Sequence, residues 1–238
     1  MERMSSEAMI LAGGLGTRLR AAVADRPKPM ATVGDQPFVV FLLDQLVRHG
    51  FRRAVICVGH MGEYVPRILG TAYGPLQLIY SFEPTPLGTG GALRNACGLI
   101  SDDDILVMNG DSFCDFDLGA LPRTHRSLGG AATMVVLHQS DRSRAGGVQA
   151  GADGRVVKFE SRPAVSAPGL INSGVYMFRR EALQSIPQDA KMSLEEDVFP
   201  AMVTQGALFA LPVEARFIDI GTPESYAAAQ TFFSCKTG

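Results

Sequence analysis

Short apolar runs alternate with amphipathic stretches along most of the chain. Apolar runs occupy 8–12, 54–59 and 104–109, and each ends at glycine or polar residues. Between the first two runs, 38–49 carries apolar residues at helical spacing. Strands that alternate with helices pack as βα units on a largely parallel sheet. The pattern therefore predicts a single-domain α/β fold, Rossmann-like, with a mostly parallel sheet flanked by helices.

The same periodicities predict the remaining elements. Asp153-Gly154 is a hairpin turn signal between two extended stretches. The segment 161–169 contains two prolines and a terminal glycine and is predicted to be a surface loop. Further strands are predicted at 77–81, 131–137, 155–159, 171–178, 208–212 and 217–220, and helices at 91–98, 181–185, 193–205 and 223–232.

Composition narrows the function classes. The 238 residues are 46% hydrophobic, which is enough to form one large core. The formal net charge is −2 and basic runs are absent from the sequence, so we expect no nucleic-acid partner. The four cysteines are far apart, which favours neither a disulfide framework nor a zinc site. The apolar stretches are too short for a signal peptide or a membrane span, so we expect a cytoplasmic protein without a membrane partner.

A glycine-rich loop follows the first predicted strand directly. Glycines let backbone N–H groups approach an anion without obstruction by Cβ, so this position favours phosphate binding. The spacing fits neither the Rossmann fingerprint, which needs glycine where Leu19 stands, nor the P-loop, since Thr17-Arg18 follows the last glycine. Lys28 lies between two prolines that stiffen its backbone. The alternative is a simple glycine turn beside an exposed lysine.

The string from Leu11 to Leu19, followed by Arg26-Pro-Lys-Pro-Met30, resembles the motif of the sugar-1-phosphate nucleotidyltransferases, also called nucleotide-sugar pyrophosphorylases. The resemblance implies Arg18 and Lys28 as catalytic residues that hold phosphates, and Asp111 as a third catalytic residue. It extends to about Tyr226, with a nucleotide-binding half over about 8–120 and a sugar-phosphate-binding half over about 121–226. The implied nucleotide-binding residues of this loop are Leu11, Ala12, Gly13, Gly14, Gly16 and Thr17.

The string from Glu83 to Ala92 resembles the second nucleotide element of that family, which also implies roles for Gly88 and Thr89. Glu83 stands where a polar side chain reads the base. A carboxylate only accepts hydrogen bonds, and guanine offers two adjacent donors on one edge, whereas uracil and thymine offer one imide N–H between carbonyl oxygens. Glu83 therefore favours GTP. The alternative is a solvated residue before a proline turn.

Two aspartates are candidate ligands of Mg²⁺. Asp111 ends a strongly apolar strand, which is where α/β folds place ligand chemistry. Asp219 lies between isoleucines just before a glycine, in a D-x-G-T-P string that resembles the family's second metal-binding element. Asp115 and Asp117 are weaker candidates in a predicted loop. The alternative interpretation makes Asp111 a turn former and Asp219 a cap.

The string from Ile171 to Phe178 resembles the family's sugar-binding strand. Nearby, Ser161 and Arg162 stand where the family usually has Glu and Lys, so the sugar pocket departs from the family pattern. The string 193–197 has two interpretations, a helix N-cap with first-turn acids or an acidic contribution to the sugar site. The implied sugar-phosphate-binding residues are Asn109, Gly147, Glu160, Arg162, Asn172 and Gly174.

These motifs predict an enzyme that transfers GMP from GTP to a sugar 1-phosphate, with Mg²⁺ as cofactor. The resemblance places D-glycero-D-manno-heptose 1-phosphate first as acceptor and mannose 1-phosphate second. It also suggests a homodimer. Two alternatives stay open: an enzyme of the same fold that uses UTP, CTP or dTTP, and a non-catalytic subunit that senses a nucleotide or a sugar.

Overall fold

A computed structural model describes residues 6–14, 19, 23–141, 146–161 and 167–233. The strands, in chain order, are β1 (Glu7–Leu11), β2 (Thr32–Val33), β3 (Gln36–Pro37), β4 (Arg53–Val58), β5 (Ala72–Tyr73), β6 (Leu76–Phe82), β7 (Asp104–Asn109), β8 (Ser112–Asp115), β9 (Ala132–Gln139), β10 (Gly147–Ala150), β11 (Val156–Glu160), β12 (Gly169–Arg179), β13 (Leu208–Pro212) and β14 (Arg216–Asp219).

Helices connect most of these strands, and short turns of tighter or wider helix occur at Lys28–Met30, Cys97–Leu99, Leu118–Ala120 and Leu194–Val198, the last of which is π-helical. No helix in the described ranges is long and apolar enough to cross a bilayer. The α-helices are α1 (Phe38–Arg48), α2 (Tyr64–Leu69), α3 (Gly88–Ala96), α4 (Leu121–Leu128), α5 (Arg180–Gln184), α6 (Phe199–Thr204) and α7 (Pro223–Phe232).

Within the described residues, one sheet of ten strands forms the centre of the molecule. Its order is β11-β10-β12-β7-β1-β4-β6-β5, and β9 extends it from β12 and carries β13. The four central strands β7, β1, β4 and β6 run parallel, and β12 pairs with β7 in the antiparallel direction. The predicted α/β fold, with a parallel central sheet flanked by helices, is confirmed.

The strands β1, β4 and β7 are buried on both faces along most of their length, which explains their nearly continuous apolar sequences. Successive side chains of β1 alternate between two cores, with Ile10 in one and Met9 in the other. Helix α1 covers the first core with residues such as Leu42. Helix α3 covers the second with residues such as Leu93. Burial on both faces fixes the register of β1 and therefore the position of the loop that follows it.

A separate two-stranded antiparallel ribbon, β8 with β14, lies beside the end of β7. Ser112 is paired with Asp219, and the N–H of Ile220 donates to the carbonyl of Asp111 at 2.9 Å. The sequence had predicted a loop for Asp115 and Asp117. That prediction is wrong for Asp115, which ends β8 in pairing with Arg216, because a partner strand distant in sequence supplies the hydrogen bonds.

Helix α7 begins at a capping box and packs against the β2–β3 hairpin. Thr222 accepts the backbone N–H of Ser225, and the Ser225 hydroxyl accepts the N–H of Thr222. Further along the helix, the Tyr226 hydroxyl donates to the carbonyl of Thr32 at 2.6 Å. The helix thereby links β14 to the hairpin that follows Lys28.

Candidate active site

A cavity of about 310 Å³ opens at the carboxyl ends of β1 and β7. In open α/β sheets this edge is the usual place for ligands. Five of its lining residues were predicted nucleotide or catalytic residues, and Asn109 was a predicted sugar-phosphate residue. The lining residues are Leu11, Gly14, Lys28, Pro29, Thr89, Asn109, Asp111, Tyr176, Ser193, Leu194, Glu195 and Gly221.

Gly110 brings the ends of the two central strands together. Its N–H donates to the carbonyl of Leu11 at 2.8 Å. A Cβ at this position would lie 2.5 Å from that carbonyl oxygen, so any larger residue would push the strands apart. The close approach places Asp111 beside the start of the glycine loop.

Lys28 and Asp111 form an ion pair inside the cavity. The distance from Lys28 Nζ to Asp111 Oδ2 is 2.5 Å, and the lysine side chain is only 11% exposed. Lys28 begins a short helical turn after Pro27, and Pro29 in that turn is buried, so the backbone of the lysine is fixed. The chain itself therefore places a cation against one of the two aspartates predicted to bind Mg²⁺.

Asp219 lies at the end of β14, next to the same cavity. Its Oδ1 accepts the N–H of Gly221 at 2.6 Å and the hydroxyl of Ser225 at 3.2 Å. Gly221 itself lines the cavity. A Cβ on Gly221 would lie 2.6 Å from Asp219 Oδ1, so the motif requires glycine there.

The donor set of this site fits Mg²⁺. The described residues contain no group of three or more acidic, histidine or cysteine side chains that could hold a metal without help. Mg²⁺ in nucleotide sites is commonly bound by one or two carboxylates, with substrate phosphates and water completing its octahedron. Asp111 and Asp219, joined through the Ile220 to Asp111 backbone hydrogen bond, are the carboxylates that would hold it.

Glu83 lies in a second, smaller pocket, which is lined by Gly13, whereas Gly14 lines the first cavity. This pocket is lined by Gly13, Gly59, His60, Glu83 and 84–86. Glu83 Oε2 accepts the N–H of Leu87 at 2.8 Å. Its other oxygen lies against Gly13, where a Cβ would be 2.5 Å away. Burial raises the pKa of Glu83, and the Leu87 N–H opposes that rise.

The predicted sugar-binding residues of β12 are buried behind the cavity wall. Asn172 donates to the hydroxyl of Tyr176 at 2.7 Å and accepts the N–H of Gly174 at 2.9 Å. Tyr176 also hydrogen-bonds the Asn109 side chain, and burial keeps the pKa of its phenol far above the usual range. The phenol is thus held protonated at the cavity wall.

Tyr176 and Glu195 were not singled out by the sequence analysis as site residues. Period-two spacing along β12 places Tyr176 with Asn172 and Gly174, a signal that was available. The N-cap interpretation of 193–197 is confirmed, since Ser193 accepts the N–H groups of Glu195 and Glu196. Glu195 lines the cavity, and an acidic contribution to a sugar site stays a prediction.

Other predicted residues lie away from the cavity. Gly147 and Glu160 are paired on β10 and β11, and Glu160 forms an ion pair with Lys158 at 2.8 Å. Gly88, with φ of +71°, packs against the carbonyl of Met192. Ala12 follows β1 and donates its N–H to Cys57. The remaining predicted residues, Gly16, Thr17, Arg18 and Arg162, lie outside the described residues.

The chain is similar to proteins of known activity over most of its length. It is 32% identical to a D-glycero-alpha-D-manno-heptose 1-phosphate guanylyltransferase of Aneurinibacillus thermoaerophilus, with 94% of this chain and 96% of the relative covered. It is 33% identical to the catalytic subunit beta of mannose-1-phosphate guanylyltransferase of Drosophila pseudoobscura pseudoobscura, with 96% of this chain but 62% of that longer protein covered.

The chain is also similar to solved structures over most of its length. HddC from Yersinia pseudotuberculosis superposes with a TM-score of 0.85 at 32% identity, covering 96% of this chain and 100% of HddC. A second HddC structure, complexed with GMP-PN, has the same TM-score at 31% identity. The family model described as "Nucleotidyl transferase" matches residues 7–235. With this match over nearly the whole sequence, the chain belongs to the nucleotidyl transferase family.

Proposed function

We propose that the protein transfers GMP from GTP to a sugar 1-phosphate and releases pyrophosphate. The observation that carries this proposal is the convergence of Lys28, Asp111 and the Asp219 segment in one cavity beside the glycine loop. The guanylyltransferases among its relatives, and the GMP-PN complex of HddC, support it.

The chemistry needs charge neutralisation more than proton transfer. An oxygen of the sugar phosphate, already ionised at neutral pH, attacks the α-phosphorus of GTP, and the bond to the β-phosphate oxygen breaks. Lys28 supplies positive charge at the phosphates, and Asp111 and Asp219 would hold Mg²⁺, which supplies further positive charge when bound. The fixed backbones around Lys28 and Gly110 hold these groups in place before the substrates bind.

Guanine specificity is proposed to come from Glu83. One carboxylate oxygen is held by the Leu87 N–H, which fixes the side chain in its pocket beside Gly13. An ionised carboxylate in that position accepts hydrogen bonds from the N1–H and 2-amino groups of guanine. Because burial raises the pKa of Glu83, we expect GTP affinity to weaken as the pH falls toward that raised pKa.

For the acceptor, we propose D-glycero-D-manno-heptose 1-phosphate first and mannose 1-phosphate second. The similarity covers 96% of the length of each of two heptose 1-phosphate guanylyltransferases. It covers only 62% of the mannose-1-phosphate guanylyltransferase subunit, which is a longer protein. Residence in the cytoplasm, expected from the short apolar stretches, and formation of a homodimer, suggested by the family resemblance, stay predictions.

The test is pyrophosphate release with Mg²⁺, crossing GTP, UTP, CTP, dTTP and ATP with heptose, mannose and glucose 1-phosphates. We expect turnover with GTP alone. Glu83→Gln should lower kcat/KM for GTP by about 10- to 100-fold, since a hydrogen bond to a charged group is lost. Glu63→Gln, at an exposed position before α2, is the matched control.

Each alternative has its own outcome. Turnover of the wild type with UTP, CTP or dTTP, and the same base preference in Glu83→Gln, would point to an enzyme that uses another nucleotide. Tight binding of GTP without pyrophosphate release from any pair would favour a sensing subunit. The first result would contradict the proposed guanine specificity, and the second would contradict the proposed catalytic activity.

A further inference from the structure

Among the described residues, the side-chain hydrogen bonds to the Asp219 carboxylate go to one oxygen. The Gly221 N–H at 2.6 Å and the Ser225 hydroxyl at 3.2 Å both donate to Oδ1. The terminal torsion of an aspartate is broad and roughly two-fold, so the carboxylate does not choose an orientation by itself. The two donors to Oδ1 therefore fix the orientation of the Asp219 carboxylate.

The hydroxyl hydrogen of Ser225 is available to donate to Asp219. In the capping box its hydroxyl accepts the N–H of Thr222 at 3.1 Å, while its own N–H donates to Thr222 Oγ1 at 3.2 Å. The cap therefore uses a lone pair of the Ser225 hydroxyl and leaves its hydrogen available. The acceptors within reach are the carbonyl of Thr222 at 3.3 Å, Thr222 Oγ1 at 3.3 Å and Asp219 Oδ1 at 3.2 Å. The charged carboxylate is the strongest of the three.

We propose that Ser225 is a positioning residue for metal binding: its hydroxyl, with the Gly221 amide, fixes Asp219 so that Oδ2 is the oxygen offered to the divalent cation. The inference rests on the metal role of Asp219 in the proposed function. It assigns to the start of α7 a task beyond capping. Lys28 Nζ lies 3.7 Å from where a Gly221 Cβ would stand, so the fixed carboxylate and the lysine share one small volume.

Three variants separate positioning from capping. Ser225→Ala removes the donor to Asp219 and also weakens the cap. Thr222→Ala weakens the same cap by removing the acceptor of the Ser225 N–H, but keeps the Ser225 hydroxyl. Ser225→Thr keeps the hydroxyl and serves as the conservative replacement. Each full-length variant is titrated with Mn²⁺, alone and with GTP, and bound Mn²⁺ is measured by electron paramagnetic resonance. The Mg²⁺ dependence of turnover is measured in parallel.

Ser225→Ala should weaken Mn²⁺ binding about tenfold, the size typical of losing a group that orients a metal ligand, and raise the Mg²⁺ half-saturation in proportion. Its KM for GTP at saturating Mg²⁺ should stay unchanged. Thr222→Ala should lose comparable thermal stability yet bind Mn²⁺ like the wild type, and Ser225→Thr should recover most of the affinity.

Equal Mn²⁺ affinity in Ser225→Ala and Thr222→Ala would show that Ser225 only caps the helix. Failure of the wild type to bind Mn²⁺ in either form, or of Ser225→Thr to recover binding, would also overturn the inference. If the wild type and the variants bind Mn²⁺ with the expected order of affinities but the wild type releases no pyrophosphate, the proposed function is contradicted. The positioning role of Ser225 would then still stand.

Discussion

At the scale of single residues, the ammonium group of Lys28 can pair with Asp111 or with the phosphates of the proposed substrate. Its ammonium group pairs with Asp111 at 2.5 Å, while the proposed reaction requires it to face phosphate. An ammonium group and a divalent cation compete for the same carboxylate, because each neutralises its charge. In the proposed reaction, we therefore expect Lys28 to move from the aspartate to the triphosphate when substrate and metal bind.

Replacing Lys28 by methionine should separate these two roles. Without the ammonium group, Asp111 is left for the metal, and we expect the nucleotide-free variant to bind Mn²⁺ about three- to tenfold more tightly, in line with charge pairs at partly exposed sites. Turnover with GTP should fall at least about a hundredfold, as when a group that stabilises transition-state charge is removed. Mn²⁺ titration and pyrophosphate release measure the two effects.

Lys158→Met is the control for this prediction, since Lys158 pairs with Glu160 on β11, away from the cavity. Mn²⁺ binding that is unchanged or weaker in Lys28→Met would show that the lysine does not compete for Asp111.

The sequence pointed to the two aspartates of the candidate site but not to Tyr176 or Ser225. Asp111 and Asp219 could be found because each follows a run of apolar strand residues and precedes or adjoins a glycine. Tyr176 and Ser225 look like ordinary strand and helix residues. Their roles depend on which side chains the fold brings beside them, Asn172 in one case and Asp219 in the other.

At the scale of elements, an irregularity in β12 shapes the cavity wall. The pairing of β12 with β9 shifts between Asn172 and Tyr176, and Gly174 lies between them with φ of +79°. A Cβ on Gly174 would lie 2.3 Å from the Ser112 hydroxyl oxygen and 3.0 Å from Asn109. The irregular strand thus brings β12 close to the residues that flank Asp111.

Gly174→Ala should therefore be much more harmful than a glycine replacement at an open turn. The positive φ alone costs about 1–2 kcal/mol for a residue with a Cβ, and the clash with Ser112 adds to it. We expect the free energy of unfolding in urea to fall by about 3 kcal/mol or more, with loss of turnover.

Gly34→Ala is the matched control, because Gly34 has φ of +63° but nothing within 4 Å of its Cβ position. It should lose only the backbone contribution. Equal losses in the two variants would contradict a close packing role for Gly174.

The strong apolar runs predicted the elements they form: β7 and α7 have the predicted bounds, and β13 does as well. The β8–β14 ribbon was only half predicted, since 217–220 was expected to be extended but Ser112–Asp115 was not. Ser112–Asp115 is too short and mixed in polarity to show a period. It is a strand because Arg216–Asp219, about a hundred residues away, pairs with it.

At the scale of the whole molecule, one buried histidine links stability to pH. His125 is fully buried on α4, with Nδ1 2.8 Å from Thr133 Oγ1 and Nε2 3.7 Å from Asp104 Oδ1. Burial lowers its pKa to about 4, although Asp104 partly opposes that shift. The folded protein therefore holds His125 neutral at pH values where the unfolded chain protonates it.

Stability should consequently fall as the pH drops from about 6.5 to about 4, because the unfolded state binds the proton more strongly over that interval. The largest possible loss from this one group is about 3 kcal/mol. His125→Asn should be less stable at pH 7 but lose about 2 kcal/mol less between pH 7 and pH 4.5. Urea unfolding at a series of pH values measures both slopes.

His138→Asn, at an exposed position of β9, is the control and should keep the wild-type slope. An unchanged slope in His125→Asn would mean that other groups account for the acid sensitivity of the fold.

The ion pair between Lys28 and Asp111 also bears on the order in which the protein folds and binds metal. In small metal-dependent domains the metal neutralises the ligands that fold around it, so the empty chain does not fold. Here the lysine neutralises the aspartate from within the chain. We therefore expect the protein to fold before it meets metal or nucleotide, so that loading of the proposed metal site is a later step that can be reversed without unfolding the chain.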